Sequence, residues 1–229
     1  MIARVLGRIG SHGAVTFLEE HLDHEVLDVR TDVLHSFHLC GYQPLGAKVA
    51  DVHRTIREEA SDAALALALA VDLGEGEPWD LVRRALLREI QQIQRRTLYL
   101  LSFLFDTRTL MHARENLRNP SPEQRAYALE VLDTTISRQL NPMVMPLFES
   151  TDPGRRLDRL NTLFPQQSRS RSRRLLDIAG GSDRWRHPWT RACAIRVLTQ
   201  QGQRDEIEMV MLARPVDEPF TCEALVGAA

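Results

Sequence analysis

Four arginines crowd one stretch of this chain: Arg169, Arg171, Arg173 and Arg174, within SRSRSRR at 168–174. A guanidinium keeps its charge at any physiological pH and offers a planar fork of donors, so such a group can grip phosphates or the carboxylates of an acidic helix. If the stretch is helical throughout, Arg169 and Arg173 share one face, Ser170 and Arg174 another, and Arg171 points elsewhere. These four are the candidate anion or partner contact. The competing reading is a solvated inter-repeat loop and helix start, the usual fate of a charge block. A contact made this way weakens as salt is added.

Other residue groups invite chemistry and fit it less well. His21, His24, His35 and His38 lie close in sequence, with His35 and His38 on adjacent turns of one helix, where two imidazoles can face one metal. The nearby carboxylates Asp23, Glu25, Asp28 and Asp32 follow no ligand pattern and no thiol joins them, so no metal is expected. Glu130 with Asp133, and Glu89 with Arg95 or Arg96, could do acid–base work. On largely apolar helices such groups more often cap or bridge neighbouring helices, because buried charges need partners. Cys40 and Cys193 have no base nearby in sequence and read as structural thiols. Neither catalytic residues nor a cofactor is expected.

The composition restricts partners and compartment. The 229 residues carry a formal net charge of −2, so there is no global basic field of the kind that drives nonspecific nucleic-acid binding, and any anion site is local. Of the 29 basic residues only Lys48 is a lysine. Cys40, Cys193 and Cys222 form neither an even disulfide set nor a C-x-x-C knuckle, which fits a reducing, cytoplasmic setting. The apolar stretches 63–71 and 98–105 fall well short of the roughly 20 residues of a membrane helix. MIARVLGRIG lacks the long apolar run and cleavage site of a signal peptide, and reads as the interior of a longer protein.

A helical phrase repeats three times: DVRTDVLHSF around Arg30, EQRAYALEVL around Arg125 and WTRACAIRVL around Arg191. Each arginine is followed at helical spacing by Val33, Leu34 and Phe37, by Ala128, Leu129 and Leu132, or by Ala194, Ile195 and Leu198, one apolar stripe per copy. Helices are expected at 2–10, 14–22 after a turn at Ser11-His12-Gly13, 25–39, 46–73, 78–105, 107–118, 122–137, 142–149, 153–164, 168–179, 187–201 and 203–213. Gly10, Gly41, Gly74 and Gly76 supply stops, and Ser121-Pro122 a start. Leu65 and Leu69 share a face with Leu67 nearly opposite, so 46–73 should be buried on two sides. The phrases recur at unequal intervals that match no single unit of ~40–47 residues, so the array is irregular. Residues 1–214 read as one helical repeat domain and 215–229 as a linker or frayed tail.

These phrases, with RVLGRIGSHGAVTFLEEHLDHEVLDVR at the start, resemble HEAT repeats, in which a helix ending in an LGRIG-like turn precedes AVxxLxxxL and the next V-R helix. The likeness covers 1–40, 121–150 and 187–213. It implies an all-α, irregular α-α superhelix of armadillo-like type that offers a surface to a protein partner. A narrower likeness runs from REEASDAALALALAVDLGEGEPWDLVRRALL to RAYALEVLD, through Glu89, Arg95 or Arg96, Leu100 or Leu101, Phe105-Asp106 and Ala128-Leu129-Glu130-x-Leu132-Asp133. It is similar to the cytosolic HEAT-like region of bacterial transporters of the ADP/ATP translocase type. The implied function is a non-enzymatic scaffold or regulatory module, a cytosolic fragment of a larger membrane-associated protein, with another protein or another domain of its parent chain as partner. The alternative is a HEAT-like nucleic-acid-binding protein or alkylpurine-type DNA glycosylase, to which SDRWRHPWTRACAIRV, with Asp183, Trp185, His187, Trp189, Arg184 and Arg186, is similar.

Overall fold

In the computed structural model, residues 2–22, 24, 26–181 and 187–212 are described, the last three without side chains. Twelve helices and no strand occur among the described residues. In chain order they are α1 (Ile2–Ile9), α2 (His12–Glu19), α3 (Leu27–Leu39), α4 (Ala47–Leu73), α5 (Asp80–Leu104) and α6 (Thr107–Leu117). There follow α7 (Pro122–Thr135), α8 (Asn141–Phe148), α9 (Pro153–Asn161), α10 (Arg171–Ala179), α11 (Pro188–Gln200) and α12 (Arg204–Leu212). None among the described residues is long and apolar enough to cross a membrane. The expected tail at 215–229 lies outside the described residues.

Five helix starts carry a side-chain cap. Ser121 accepts a hydrogen bond from Gln124 N–H with Pro122 at the first helical position, and Asp106 and Asp152 likewise cap α6 and α9. Several starts differ from the sequence expectation, among them α3 at Leu27 rather than 25 and α5 at Asp80 rather than 78, and in two a serine cap sets the difference. Ser11 accepts from Ala14 N–H, so α2 begins at His12 and the supposed turn residues His12 and Gly13 are its first turn. Ser170 accepts from Arg173 N–H, so α10 begins at Arg171 and Arg169 precedes the helix. In both cases a serine hydroxyl satisfies an end N–H that the chain would otherwise leave bare.

The chain divides into two compact units, one of Met1–Ala63 with Gln91–Phe164, the other of Ala64–Ile90 with the chain from Pro165 onward. The division falls within α4 and α5, so each unit takes part of both long helices.

In the first unit α1 packs on α3 and α6 on α7. Leu18, Leu34, Phe37, Ile56, Leu100, Leu101, Leu110, Leu132, Val144 and Leu160 are buried. The Phe37 ring lies 4.3 Å from Tyr42 and 6.0 Å from Phe103 between ring centres. Polar links join the helices. Arg96 on α5 meets Glu59 on α4 in a two-pronged pair, Nε to Oε1 at 2.7 Å and Nη2 to Oε2 at 2.8 Å, with side chains 4% and 1% exposed. Buried Arg156 donates to Pro146 O and Leu147 O, satisfying carbonyls in the last turn of α8, where a cation is favoured. Lys48 pairs with Glu19, whose carboxylate also accepts the Tyr42 hydroxyl at 3.1 Å. Burial, and then the Glu19 charge, push the Tyr42 phenol up.

The crossing of α1 and α3 depends on the absence of a side chain. A Cβ at Gly7 would lie 2.7 Å from both Ser36 Cα and Ser36 O. Both are backbone atoms and cannot swing aside. Gly7→Ala would gain ~1 kcal/mol of helix propensity and meet an overpacking penalty of ~1–3 kcal/mol. Because the clash is with backbone, the penalty is expected to win, lowering the urea midpoint. A raised midpoint would mean that α1 moves off α3 at little cost.

In the second unit α10 packs on α11, and α12 touches both. Leu67, Leu69, Leu73, Val82, Leu86, Leu175, Ile178, Ile195 and Leu198 form its core. Leu67 and Leu69, read as lying on opposite sides of ALALAL, are both buried, as are Ala64, Ala66, Ala68 and Ala70, while Leu65 is half-buried.

Candidate functional site

The arginine block lies at the start of α10, and the structure uses each of its guanidiniums differently. Arg174, with a side chain 5% exposed, donates from Nε to Asp72 Oδ2 at 2.7 Å and from Nη2 to Gln167 O. Asp72, near the end of α4, also accepts the Ser168 hydroxyl at 2.8 Å and Arg169 N–H at 2.9 Å. Burial pushes the Asp72 carboxyl up, but these three hydrogen bonds together outweigh it and hold the group below its usual range.

Arg169 and Arg173 do not share a helix face, since Arg169 stands outside α10. They converge all the same on Asp177, at 2.7 and 3.2 Å. Arg171 lies over the Trp79 ring, 5.5 Å from its centre, and closes against Gly74. At Gly74, φ is +68° and a Cβ would lie 2.9 Å from Arg171 Nη2, so only glycine suits the turn. Arg174 is thus an internal fastener, whereas Arg169, Arg171 and Arg173 remain exposed, with the single carboxylate of Asp177 between two of them. Three presented guanidiniums on a segment pinned by Asp72 can receive an acidic group.

The remaining candidates are placed as follows. Glu89 accepts the Thr190 hydroxyl, with His187 Nδ1 at 3.9 Å, while Arg96 pairs with Glu59. Cys193, one turn beyond Thr190 in α11, is buried, and burial pushes its thiol up to about 11, far from a thiolate nucleophile. Burial likewise raises Cys40. Glu130 and Asp133 are exposed, and Asp133 accepts from Asn141 at 2.6 Å. The histidines separate into two pairs. His21 stacks on Phe17 and lies near His24, while His35 and His38 both lie against Tyr99. No group of three His, Cys, Asp or Glu among the described residues is arranged to hold a metal. Asp183, Arg184, Trp185, Arg186 and Cys222 lie outside the described residues, while Trp189 is half exposed at the start of α11.

Sequence reasoning missed Asp72, Trp79 and Asp177 as partners of the block. Asp177 stands four residues after Arg173, a spacing that could have been read. Asp72 and Trp79 are remote in sequence and carried no local signal.

No protein-family model matches the chain, and neither a curated protein nor a solved structure matches it.

Proposed function

We propose that this chain is a HEAT-type protein-interaction module, a non-enzymatic scaffold or regulatory part in which helix pairs continue into an irregular α-α superhelix. One observation carries the reading. Arg30, Arg125 and Arg191 each occupy the fourth residue of their helices, α3, α7 and α11. The Nε of each is shielded from solvent, and most of the stripe that follows is buried: Val33, Leu34, Phe37; Ala128, Leu132; Ala194, Ile195, Leu198. Three helices built to one register, each docked on an earlier helix, are what repetition of a single unit produces. Arg191 also reaches the end of α10, donating to Ala179 O at 3.5 Å.

In this reading the module is the cytosolic portion of a larger bacterial membrane-associated protein resembling ADP/ATP translocase-like transporters. Its partner presents an acidic segment to Arg169, Arg171 and Arg173. The test places a photo-crosslinking residue at exposed Ser172 in the native host and identifies the adducts by mass spectrometry. One recurrent adduct to an acidic segment, of the parent polypeptide or of a separate protein, is expected. It should fade with added salt and in Arg169→Ala/Arg171→Ala/Arg173→Ala, which leaves the Arg174–Asp72 pair intact. Release of alkylated bases from duplex DNA by the purified chain would overturn the non-enzymatic reading in favour of the glycosylase class.

A further inference from the structure

Tyr99 of α5 is 1% exposed and stands inside a ring of basic side chains drawn from the first unit. The rings of His35 and His38 on α3 are centred 5.6 and 5.5 Å from it. The guanidinium carbons of Arg95 on α5 and Arg114 on α6 lie 5.8 and 5.1 Å from its centre, and Arg114 donates to its hydroxyl at 3.2 Å. Arg4 on α1 adds a further positive charge near His35. The acid on this side of α3, Asp32, is engaged by Arg4 through Nε and Nη2 at 3.0 and 2.9 Å. Among the described residues no carboxylate forms an ion pair with Arg95 or Arg114.

Stacking on a tyrosine accounts for part of this arrangement, since a cation near an aromatic face is attracted to it. It does not account for gathering two guanidiniums and two imidazoles around one ring. The Nδ1 atoms of His35 and His38 and the Nε of Arg95 are shielded from solvent and have no hydrogen-bond partner. Such atoms are uncommon in folded chains, and a polar ligand, water or ion is one explanation for them. All four side chains are half-buried, so their field is less screened than that of an open surface. Burial, then the charges of Arg4, Arg95, His38 and Arg114, hold His35 below the usual imidazole value; burial, then Arg114, do the same for His38. The pair is therefore neutral near pH 7 and poised to take protons when negative charge arrives.

We propose that His35, His38, Arg95 and Arg114, gathered around Tyr99, form a receptor for a dianionic oxyanion, the phosphate group of a phosphomonoester. The guanidinium forks suit tetrahedral oxygens, and each imidazole gains a second donor N–H once protonated. Tyr99 is too deeply buried to touch the ligand and acts as the post that holds the four groups together. The same positive charge disfavours a divalent metal at this place. The site lies wholly within the first unit and does not depend on how helix pairs stack.

Sulfate is the first probe, because it remains a dianion from pH 5 to 8 and any pH dependence then belongs to the protein. The intact chain is titrated at constant ionic strength while the His35 and His38 ring signals are followed by NMR. Saturable shifts are expected, with affinity rising several-fold from pH 8 to 6 as binding draws protons onto the imidazoles. Arg95→Gln and Arg114→Gln should each weaken binding by about tenfold or more, and Arg95→Lys should recover part of the loss. His35→Gln/His38→Gln should still bind, with the pH dependence flattened. Far-UV circular dichroism identifies any variant that fails to fold, and the lysine variant then carries the comparison. Glycerol 3-phosphate, the second probe, should bind at least as tightly as sulfate. Shifts that never saturate, or binding unchanged in Arg95→Gln/Arg114→Gln, would overturn the site. Sulfate binding with glycerol 3-phosphate excluded would overturn the phosphomonoester.

Discussion

Glu59→Ala is expected to lower the unfolding free energy by about 3–5 kcal/mol, the usual cost of removing one member of a buried ion pair. Arg96 would keep its charge, since no protein environment neutralises a guanidinium near pH 7. It would lose both of its hydrogen bonds to Glu59 at a place between α4 and α5 where its side chain is 4% exposed in the parent. For a chain of this size, that corresponds to a fall in melting temperature of roughly 10 °C. The comparison variant Glu59→Leu/Arg96→Met removes both charges and fills similar space. It should recover most of the loss, because an apolar pair avoids the desolvation that the ion pair must overcome. Urea unfolding at pH 7 checks both. If the double variant is as unstable as Glu59→Ala, the loss came from shape rather than from stranded charge.

Asp72→Ala is expected to cost about 2–4 kcal/mol. It takes away the acid partner of Arg174 and the acceptor for the Ser168 hydroxyl and Arg169 N–H, three attachments that fix the approach to α10. The effect also has a pH signature. The folded carboxyl is held below its ordinary 3.8. The stability it contributes is therefore fully present above that value and is lost as the pH falls through the folded value. Asp72→Asn should be clearly less stable than the parent at pH 7, with the gap closing below about pH 4. Unfolding midpoints of the two proteins across pH 7 to 3 provide the check. A gap of constant size would show that the hydrogen-bond geometry matters and the charge does not.

The helices were legible because their signals are local. The alanine-rich run of α4, the Ser121-Pro122 start of α7 and the Gly41 stop after α3 each reflect residues within a turn of the feature they set. Errors arose where two local readings compete. Ser11 serves equally as a turn residue and as a helix cap, and in SRSRSRR whether Ser170 lies inside the helix or caps it decides which arginines are helical. The pairings were not legible. Glu59 finds Arg96 and Asp72 finds Arg174 across long stretches of chain, and nothing near either carboxylate distinguishes it from its solvated neighbours. The histidine spacing on α3 was readable, but its neighbours were not. Arg95 and Arg114 join it only because α5 and α6 bring them to Tyr99.

Lys48 is the chain's one lysine, and in the fold its ammonium is held by Glu19. Every modification that cells write on lysine side chains thus has a single address in these residues. Acetylation there would cancel the only ammonium side chain and leave the Glu19 carboxylate to the Tyr42 hydroxyl. An amine-directed reagent, apart from any terminal amine, would mark one site, and its rate relative to free lysine would report how often that one contact lets go.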